Sequence, residues 1–308
     1  MILRELTSDD KPQFCELLYS SFNTWYKKHG LNDQYFKCPV KDLGIIYDIY
    51  AGMENSHSVA AEDPQNGQLV GVCFYHPRET HISLGIMAVH LDYGKKGIGK
   101  SLLTFMTGFA DTNGFDSFRL VQSACNVDSF SLYSKGGFIP RYSYHDMLIS
   151  VPAQGFDFKI AGVDRVRPAT KKDIPQMAHL EMQLSGICRE KDYLYCIEND
   201  LGFWQTLALE GSDEDLDGFL ISCGHSSFNM LGPGVMRSEE DATALIFFAL
   251  NQYKNRTPLV LVPAEKRKLV GSLYEWGAWN CEMHFHQARG SFHGFKGVNI
   301  PTFLPETG

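Results

Sequence analysis

Apolar residues along this chain alternate between two periods. A short strand at "ILREL" leads into residues 9–23, where Phe14, Leu17, Leu18 and Phe22 fall at helical spacing. "HSVAAED" and "QLVGVCFY" read as strands around a turn at "PQNG", and "HISLGIMAVHL" is the longest strand candidate of the first half. Leu102, Leu103, Met106, Phe109 and Ala110 mark the buried stripe of a helix ending near Gly114. "FRLVQSA" is a further strand, "VDSFSLYSK" a short helix stopped by Gly136-Gly137, and "FIPRYSYHDMLIS" two final strands or one bent strand. Residues 24–42 break the helical period while carrying Trp25, Tyr26, Tyr35 and Phe36. An aromatic connection of this length is expected to be a packed loop or a substrate lid.

After the Pro- and Gly-punctuated linker "VPAQGFDFKIAGV", the segment "RVRPATKKDIPQMAHLEM" restarts as strand and then helix. "SLYSKGGF" (131–138) recurs as "SLYEWGAW" (272–279) at an offset of 141 residues, and the same offset lays "RLVQ" (119–122) beside "VLVP" (260–263). Internal repetition of this kind implies two copies of one fold. The expected boundaries are residues 1–152 for the first copy, 153–164 for the linker and 165–308 for the second. A repeat within the chain can supply a contact that otherwise requires two chains, so a monomer or a homodimer is expected.

Composition narrows the function classes. The 308 residues suit two domains, and 44% hydrophobic with 21% charged residues is ordinary globular usage. The net charge is −8, with 13 basic against 16 acidic residues in the first half and 15 against 20 in the remainder. Neither half carries the electrostatic footprint of a nucleic-acid or anionic-membrane binder, and an amine substrate is favoured. The eight cysteines are scattered without a C-x-x-C pair, which suggests reduced thiols in a cytoplasmic protein. No stretch approaches the ~20 apolar residues of a membrane span. The opening "MILRELTSDD" passes directly from strand to helix cap, so no signal peptide is expected.

Residues 94–101, "GKKGIGKS", spell the written pattern of a nucleotide-binding P-loop. A P-loop enzyme also needs a later apolar strand ending in Asp to hold magnesium, whereas "FRLVQSACN" ends in Ser and Asn. The surrounding residues resemble instead the GNAT N-acetyltransferases. That family's signature is a strand, V-x-P-x-x-[RQ]-x-x-G-x-[GA], a helix, a strand, and N-x-x-[AS]-x-x-L-Y-x-x-x-G-F. The first part matches Val89 to Gly99, and the second runs from Asn126 through Ser129, Leu132 and Tyr133 to Gly137-Phe138. The departures are Leu91 for the usual Pro and Gly94 for the usual Arg or Gln.

The resemblance implies an α/β (α+β) fold with two GNAT-like domains in tandem, each a mixed, mostly antiparallel twisted sheet flanked by helices. It implies acetyl-CoA as co-substrate and a small-molecule or peptide amine as acceptor. The cofactor site would comprise Ala88, Val89, Gly94, Lys95, Lys96, Gly97, Ile98, Gly99, Lys100, Ser101, Asn126 and Tyr133. Glycines let backbone N–H groups approach a diphosphate at a helix N-terminus, and the three lysines add positive charge. The Val89 N–H would polarise the thioester carbonyl, and Tyr133, placed at a helix start, would protonate the leaving thiolate. His81 is the candidate base on the preceding strand.

The second copy replaces the Gly-rich loop with "VMRSEEDA" (235–242), so it is not expected to bind CoA. "SGICREKDY" resembles a G-x-x-R segment of tandem GNAT proteins, which makes Arg189 a candidate for a substrate carboxylate, with an ion pair to Glu181 or Asp192 as the alternative. Trp25, Tyr26, Tyr35 and Phe36 are the expected acceptor wall. Glu282, His284 and His286 share one strand face, but three ligands in line make poor tetrahedral geometry, so no metal is expected. The alternative function is a non-catalytic acyl-CoA-binding sensor.

Overall fold

The computed structural model describes residues 1–212, 215–304 and 306–307. The first half runs β1 (Ile2–Arg4), α1 (Lys11–Lys28), α2 (Gly44–Gly52), β2 (His57–Glu62), β3 (Leu69–Pro77), β4 (Ile82–Val89), α3 (Ile98–Thr112), β5 (Ser117–Ser123), α4 (Val127–Lys135) and β6 (Ile139–Leu148). The second runs β7 (Val166–Pro168), α5 (Ile174–Ser185), α6 (Glu190–Glu198), β8 (Trp204–Glu210), β9 (Leu216–Gly224), β10 (Asn229–Met236), α7 (Glu239–Leu250), β11 (Leu259–Pro263), α8 (Arg267–Glu275), β12 (Trp279–Gly290) and β13 (Val298–Ile300). Among the described residues no helix is long and apolar enough to cross a membrane.

The repeat extends to individual bonds. Arg4 grips Asp10 through both Nη atoms at 2.7 Å, and Arg167 grips Asp173 in the same way at 3.0 and 2.8 Å. Each aspartate also accepts the backbone N–H of a threonine, Thr7 or Thr170, closing the entry to α1 and α5. The guanidinium beside Asp10 holds its carboxyl down at about 2. Around α4 and α8 the bonding pattern repeats at an offset of 140, one less than the text match at 131–138. The Phe138 N–H donates to the Tyr133 carbonyl, and the Ala278 N–H to that of Leu273. The second copy therefore sets Leu273 where the first has Tyr133, and Tyr274 turns outward.

One sheet joins both halves, in the order β1-β2-β3-β4-β5-β12-β6-β11-β10-β9-β8-β7, with β13 added beside β10. The last strands change places. β12 pairs with β5 of the first half and β6 with β11 of the second, so each copy completes the other's sheet. Side-chain alternation along the strands separates two helical layers. Phe74 and Phe219 join α1, α2, α5 and α6 in one cluster that spans both halves. On the opposite face Cys73, Tyr75 and Leu84 pack against α3 and α4, while α7 and α8 cover the second half.

Three elements differ from the sequence expectation. Helix α1 continues to Lys28, so Trp25 and Tyr26 lie on its last turns rather than in a connection. Asn23 and Thr24 are weak helix formers, and tertiary contacts carry the helix past them. Helix α2 buries Ile46, Ile49 and Tyr50, and α6 buries Tyr193 and Cys196. Both had helical spacing available in the sequence, but each is only nine residues long and propensity alone does not sustain such a helix. "FIPRYSYHDMLIS" forms the single strand β6.

Candidate active site

Strands β4 and β5 are parallel and pair only at Ile82–Phe118 and Ser83–Arg119. A bulge in β4 around Gly85–Ile86 shifts its register on β3 and bends it away from β5. The His90 N–H donates to the Val70 carbonyl at 2.9 Å, which makes that pair and Val72–Ala88 the hydrogen-bonded ones. Met87 and Val89 alternate with them, so their N–H groups face the widening slot. Ala88 is occupied with β3 and lines the slot only by its neighbours.

At the open end of the slot, Gly97 adopts φ +82° and starts α3. The first intrahelical bond runs from the Ser101 N–H to the Gly97 carbonyl, which leaves the N–H groups of Ile98, Gly99 and Lys100 ahead of the helical ladder. Ile98 is buried, while Gly94, Lys95, Lys96, Gly97 and Lys100 are exposed around this terminus. Lys96 Nζ lies 4.2 Å from the Tyr93 ring centroid. A Cβ on Gly99 would stand 3.2 Å from Leu132 Cδ2 and 3.8 Å from Val89 Cγ2, so α3 approaches both motifs closely here. Free N–H groups, the positive end of the helix dipole and three lysines meet at this terminus, an arrangement suited to an anion.

On the other wall, Asn126 caps α4 by accepting the Ser129 N–H at 3.0 Å, which leaves its amide nitrogen as the remaining donor group. Tyr133 is 5% exposed and packs against Phe138 and the α3 cluster. It occupies the second half of α4 rather than the helix start, because the cap is set seven residues earlier by Asn126. A helical side chain leans toward its own N-terminus, which directs the ring back toward Asn126.

The α1 face of the slot is closed by contacts from one helix. Ser21 Oγ donates to the Val89 carbonyl at 3.0 Å, Trp25 Nε1 to Asp128 at 3.4 Å, and the Tyr26 hydroxyl to Glu282 Oε1 at 2.9 Å. Ser123, at the end of β5, donates to the same Glu282 oxygen. Tyr35 lies 4.3 Å from Tyr26 between ring centroids and 5.0 Å from Phe36, which in turn faces Phe228 of the second half. Burial raises the Tyr26 and Tyr35 hydroxyls, and the nearby Glu282 charge adds to both shifts. The four aromatics named from sequence therefore meet in one seam between the halves. Glu282 sits there because β12 has crossed into the first half. Its place could not be read from position 282 alone, since the partner strand is remote in sequence. His284 Nδ1 contacts Asp146 at 2.7 Å on the same face.

Two expected site residues lie elsewhere. His81 is fully buried at the paired end of β4, eight residues from Val89, or about 26 Å along an extended strand. Burial, with Arg78 and Arg119 adding to it, holds its imidazole well below the ordinary histidine range. Arg189 is 2% exposed and bonded to Glu181, whose other oxygen accepts the Tyr193 hydroxyl. Glu181 is fully buried, so this guanidinium is committed to a core ion pair.

In the second half, β10 and β11 likewise pair only at Met230–Leu259 and Leu231–Val260. There β13 lies along Gly234–Met236 and occupies the diverging edge. Ser238 accepts the Asp241 N–H at 3.1 Å at the start of α7, and Asp241 also pairs with Arg165. Neither the slot nor the helix N-terminus of the first half is reproduced.

The sequence profile of the Acetyltransferase (GNAT) family matches residues 14–138. A curated Bacillus subtilis protein, UPF0157 protein YqkA, is 30% identical over 99 residues, which covers 32% of this chain and 25% of that protein. Among solved structures, one from Pyrococcus horikoshii matches 99% of this chain and 95% of its own at a TM-score of 0.75 and 14% identity. A GCN5-related N-acetyltransferase from Sphaerobacter thermophilus covers 96% of this chain and 97% of its own, at a TM-score of 0.62 and 15% identity. A tandem GNAT protein of the clavulanic acid biosynthesis pathway covers 94% of this chain and 98% of its own, at a TM-score of 0.65 and 11% identity. The GNAT acetyltransferase profile thus lies on the slot-bearing half, residues 14–138, and the chain as a whole has the tandem GNAT fold.

Proposed function

We propose that the chain transfers an acetyl group from acetyl-CoA to a cationic amine held in the seam between its halves. The observation that supports this reading most directly is the convergence of the β4–β5 slot with the Tyr26–Glu282–Ser123 cluster. An amine of reference pKa about 10.4 must lose a proton before it attacks. Glu282 would accept that proton, directly or through one water, while the nitrogen adds to the thioester carbonyl. The Val89 N–H would hold the developing oxyanion. On collapse the C–S bond breaks, and the thiolate would take a proton from Tyr133. Aromatic rings beside two carboxylates suit a cation, so the Trp25, Tyr26, Tyr35 and Phe36 seam would bind the acceptor. All eight cysteines are unpaired, which fits action in a reducing cytoplasm.

A panel of amines assayed for stimulated acetyl-CoA consumption tests the reading, and no stimulated turnover with any amine would favour an acyl-CoA sensor. With an acceptor in hand, Glu282→Gln is expected to lower kcat/KM about 10²-fold without changing acetyl-CoA affinity. The deficit should shrink as pH rises toward the amine's own pKa. An unchanged pH profile would remove Glu282 from the proton path.

Calorimetry is expected to give one CoA per chain, because β13 and the Ser238 cap fill the second half's equivalents. Magnesium-dependent ATP turnover is expected to be absent. Two CoA sites, or ATP hydrolysis by the pure protein, would contradict the assignment of the α3 terminus.

A further inference from the structure

Away from the slot, the paired ends of β4 and β5 enclose a group of basic and polar side chains that acetyl transfer does not use. Arg78, His81, Ser83 and Arg119 are 8%, 0%, 0% and 1% exposed. Ser83 is the register partner of Arg119 on the adjacent strand, and the Arg78 N–H donates to the His81 carbonyl across the turn that opens β4. His81 and Ser83, two residues apart, face the same side of the sheet as Arg119.

Charge at this point does not balance. Arg78 pairs with Asp192 at 2.7 Å and Arg189 with Glu181, but among the described residues no carboxylate is within ion-pair reach of Arg119. Its Nε donates to Ser117 Oγ at 3.2 Å, and Phe292 caps the guanidinium 5.3 Å from its ring centroid. Burial lowers Arg119 to about 10, with Glu181 opposing the shift and Arg189 adding to it, so it stays charged at neutral pH.

Arg78 Nη2, His81 Nε2, Ser83 Oγ and Arg119 Nη1 are buried without a hydrogen-bond partner among the described residues. Both arginine atoms can only donate, and the histidine tautomer can be read from its neighbour. Thr80 Oγ1 accepts the Cys188 N–H at 3.1 Å and lies 3.0 Å from His81 Nδ1. When the threonine proton is directed at Nδ1, His81 Nε2 carries the ring hydrogen. The two arginine atoms are obligate donors, the Ser83 hydroxyl and the Nε2–H tautomer of His81 can donate beside them, and one positive charge among them has no carboxylate partner. A water molecule brings two hydrogens of its own and does not answer that charge, whereas a monoanion supplies acceptors and the missing charge together.

We propose that Arg119, His81 and Ser83, with Arg78 at the edge, bind a small monovalent anion, a halide or a carboxylate group. The site lies where the two halves meet. Arg78–Asp192 and Thr80–Cys188 both join the β4 turn to the second half, so the anion ties the two copies together. It is independent of the amine reading, since it lies at the opposite end of β4 from Val89.

The test is thermal unfolding of the full chain at constant ionic strength, with sodium gluconate replaced stepwise by sodium chloride in one arm and sodium formate in the other. A saturable rise in Tm is expected, roughly 2 °C at five times the dissociation constant. A rise in both arms assigns any monoanion small enough to enter, and a rise with formate alone assigns a carboxylate. Arg119→Met is expected to abolish the response and to be no less stable than the wild type in gluconate, because it removes a buried charge without a partner. Ser83→Ala keeps the charge and should raise the half-saturating concentration several-fold, which carries the test if the arginine variant does not fold. No anion-specific rise in the wild type, or an equal rise in Ser83→Ala and Arg119→Met, overturns the proposal.

Discussion

Replacing Tyr133 by Phe is expected to lower turnover about 10²–10⁴-fold, the usual range for a lost general acid, while acetyl-CoA affinity stays within about twofold. In the proposed reaction only the departing thiolate needs the phenolic proton, so an interaction made late in the reaction disappears and ground-state binding does not. The ring lies in an apolar cluster with Phe138 and the α3 stripe, and Phe preserves that packing. The measurement is single-turnover transfer to a known acceptor, where product release cannot mask chemistry. Full activity under those conditions would return Tyr133 to a packing role. Tyr274 offers an internal control. It is 46% exposed on α8, and Tyr274→Phe should leave both turnover and stability unchanged.

Arg189→Met is expected to destabilise the fold by about 3–5 kcal/mol, because it strands the fully buried Glu181 carboxylate. For a chain of this size that is a fall in Tm of roughly 5–8 °C. Burial by itself would lower the Arg189 guanidinium, and the Glu181 charge overrides it, so the net shift is upward. The double change Glu181→Met with Arg189→Met removes both charges and should recover most of the loss, which a double-mutant cycle reads as coupling between them. The acceptor KM of the folded single variant is the discriminating measurement. An unchanged KM agrees with the ion pair, whereas a raised KM with intact stability would assign Arg189 to the substrate.

Local chemistry is legible in the sequence alone. Glycines at the opening of a helix and lysines around its N-terminus declare themselves in sequence, because each acts through its immediate neighbours. The repeat was visible for the same reason, since the same strand and helix signals recur in order. The reading failed where neighbours compete with distant partners. Helix α1 passes through Asn23 and Thr24 because Val89, Asp128 and Glu282 hold its far end. The one-residue error in the repeat offset arose because "SLY" matches as text, whereas the backbone bonds of Phe138 and Ala278 set the register.

The sequence by itself thus determined the fold class, the Gly-rich turn that opens α3 and its replacement by the capped "VMRSEEDA" segment, all consequences of local backbone geometry and charge. Tertiary structure alone decided that β6 and β12 change places, that Glu282 meets Ser123 at the end of β5, that β13 lies along the second diverging edge and that Arg119 is buried with no carboxylate in reach among the described residues. Strand pairing is a contest among many edges of similar pattern, and its winner depends on the summed burial of both halves. No single stretch of the chain encodes that sum, so residues whose roles depend on it become readable only once the sheet is assembled.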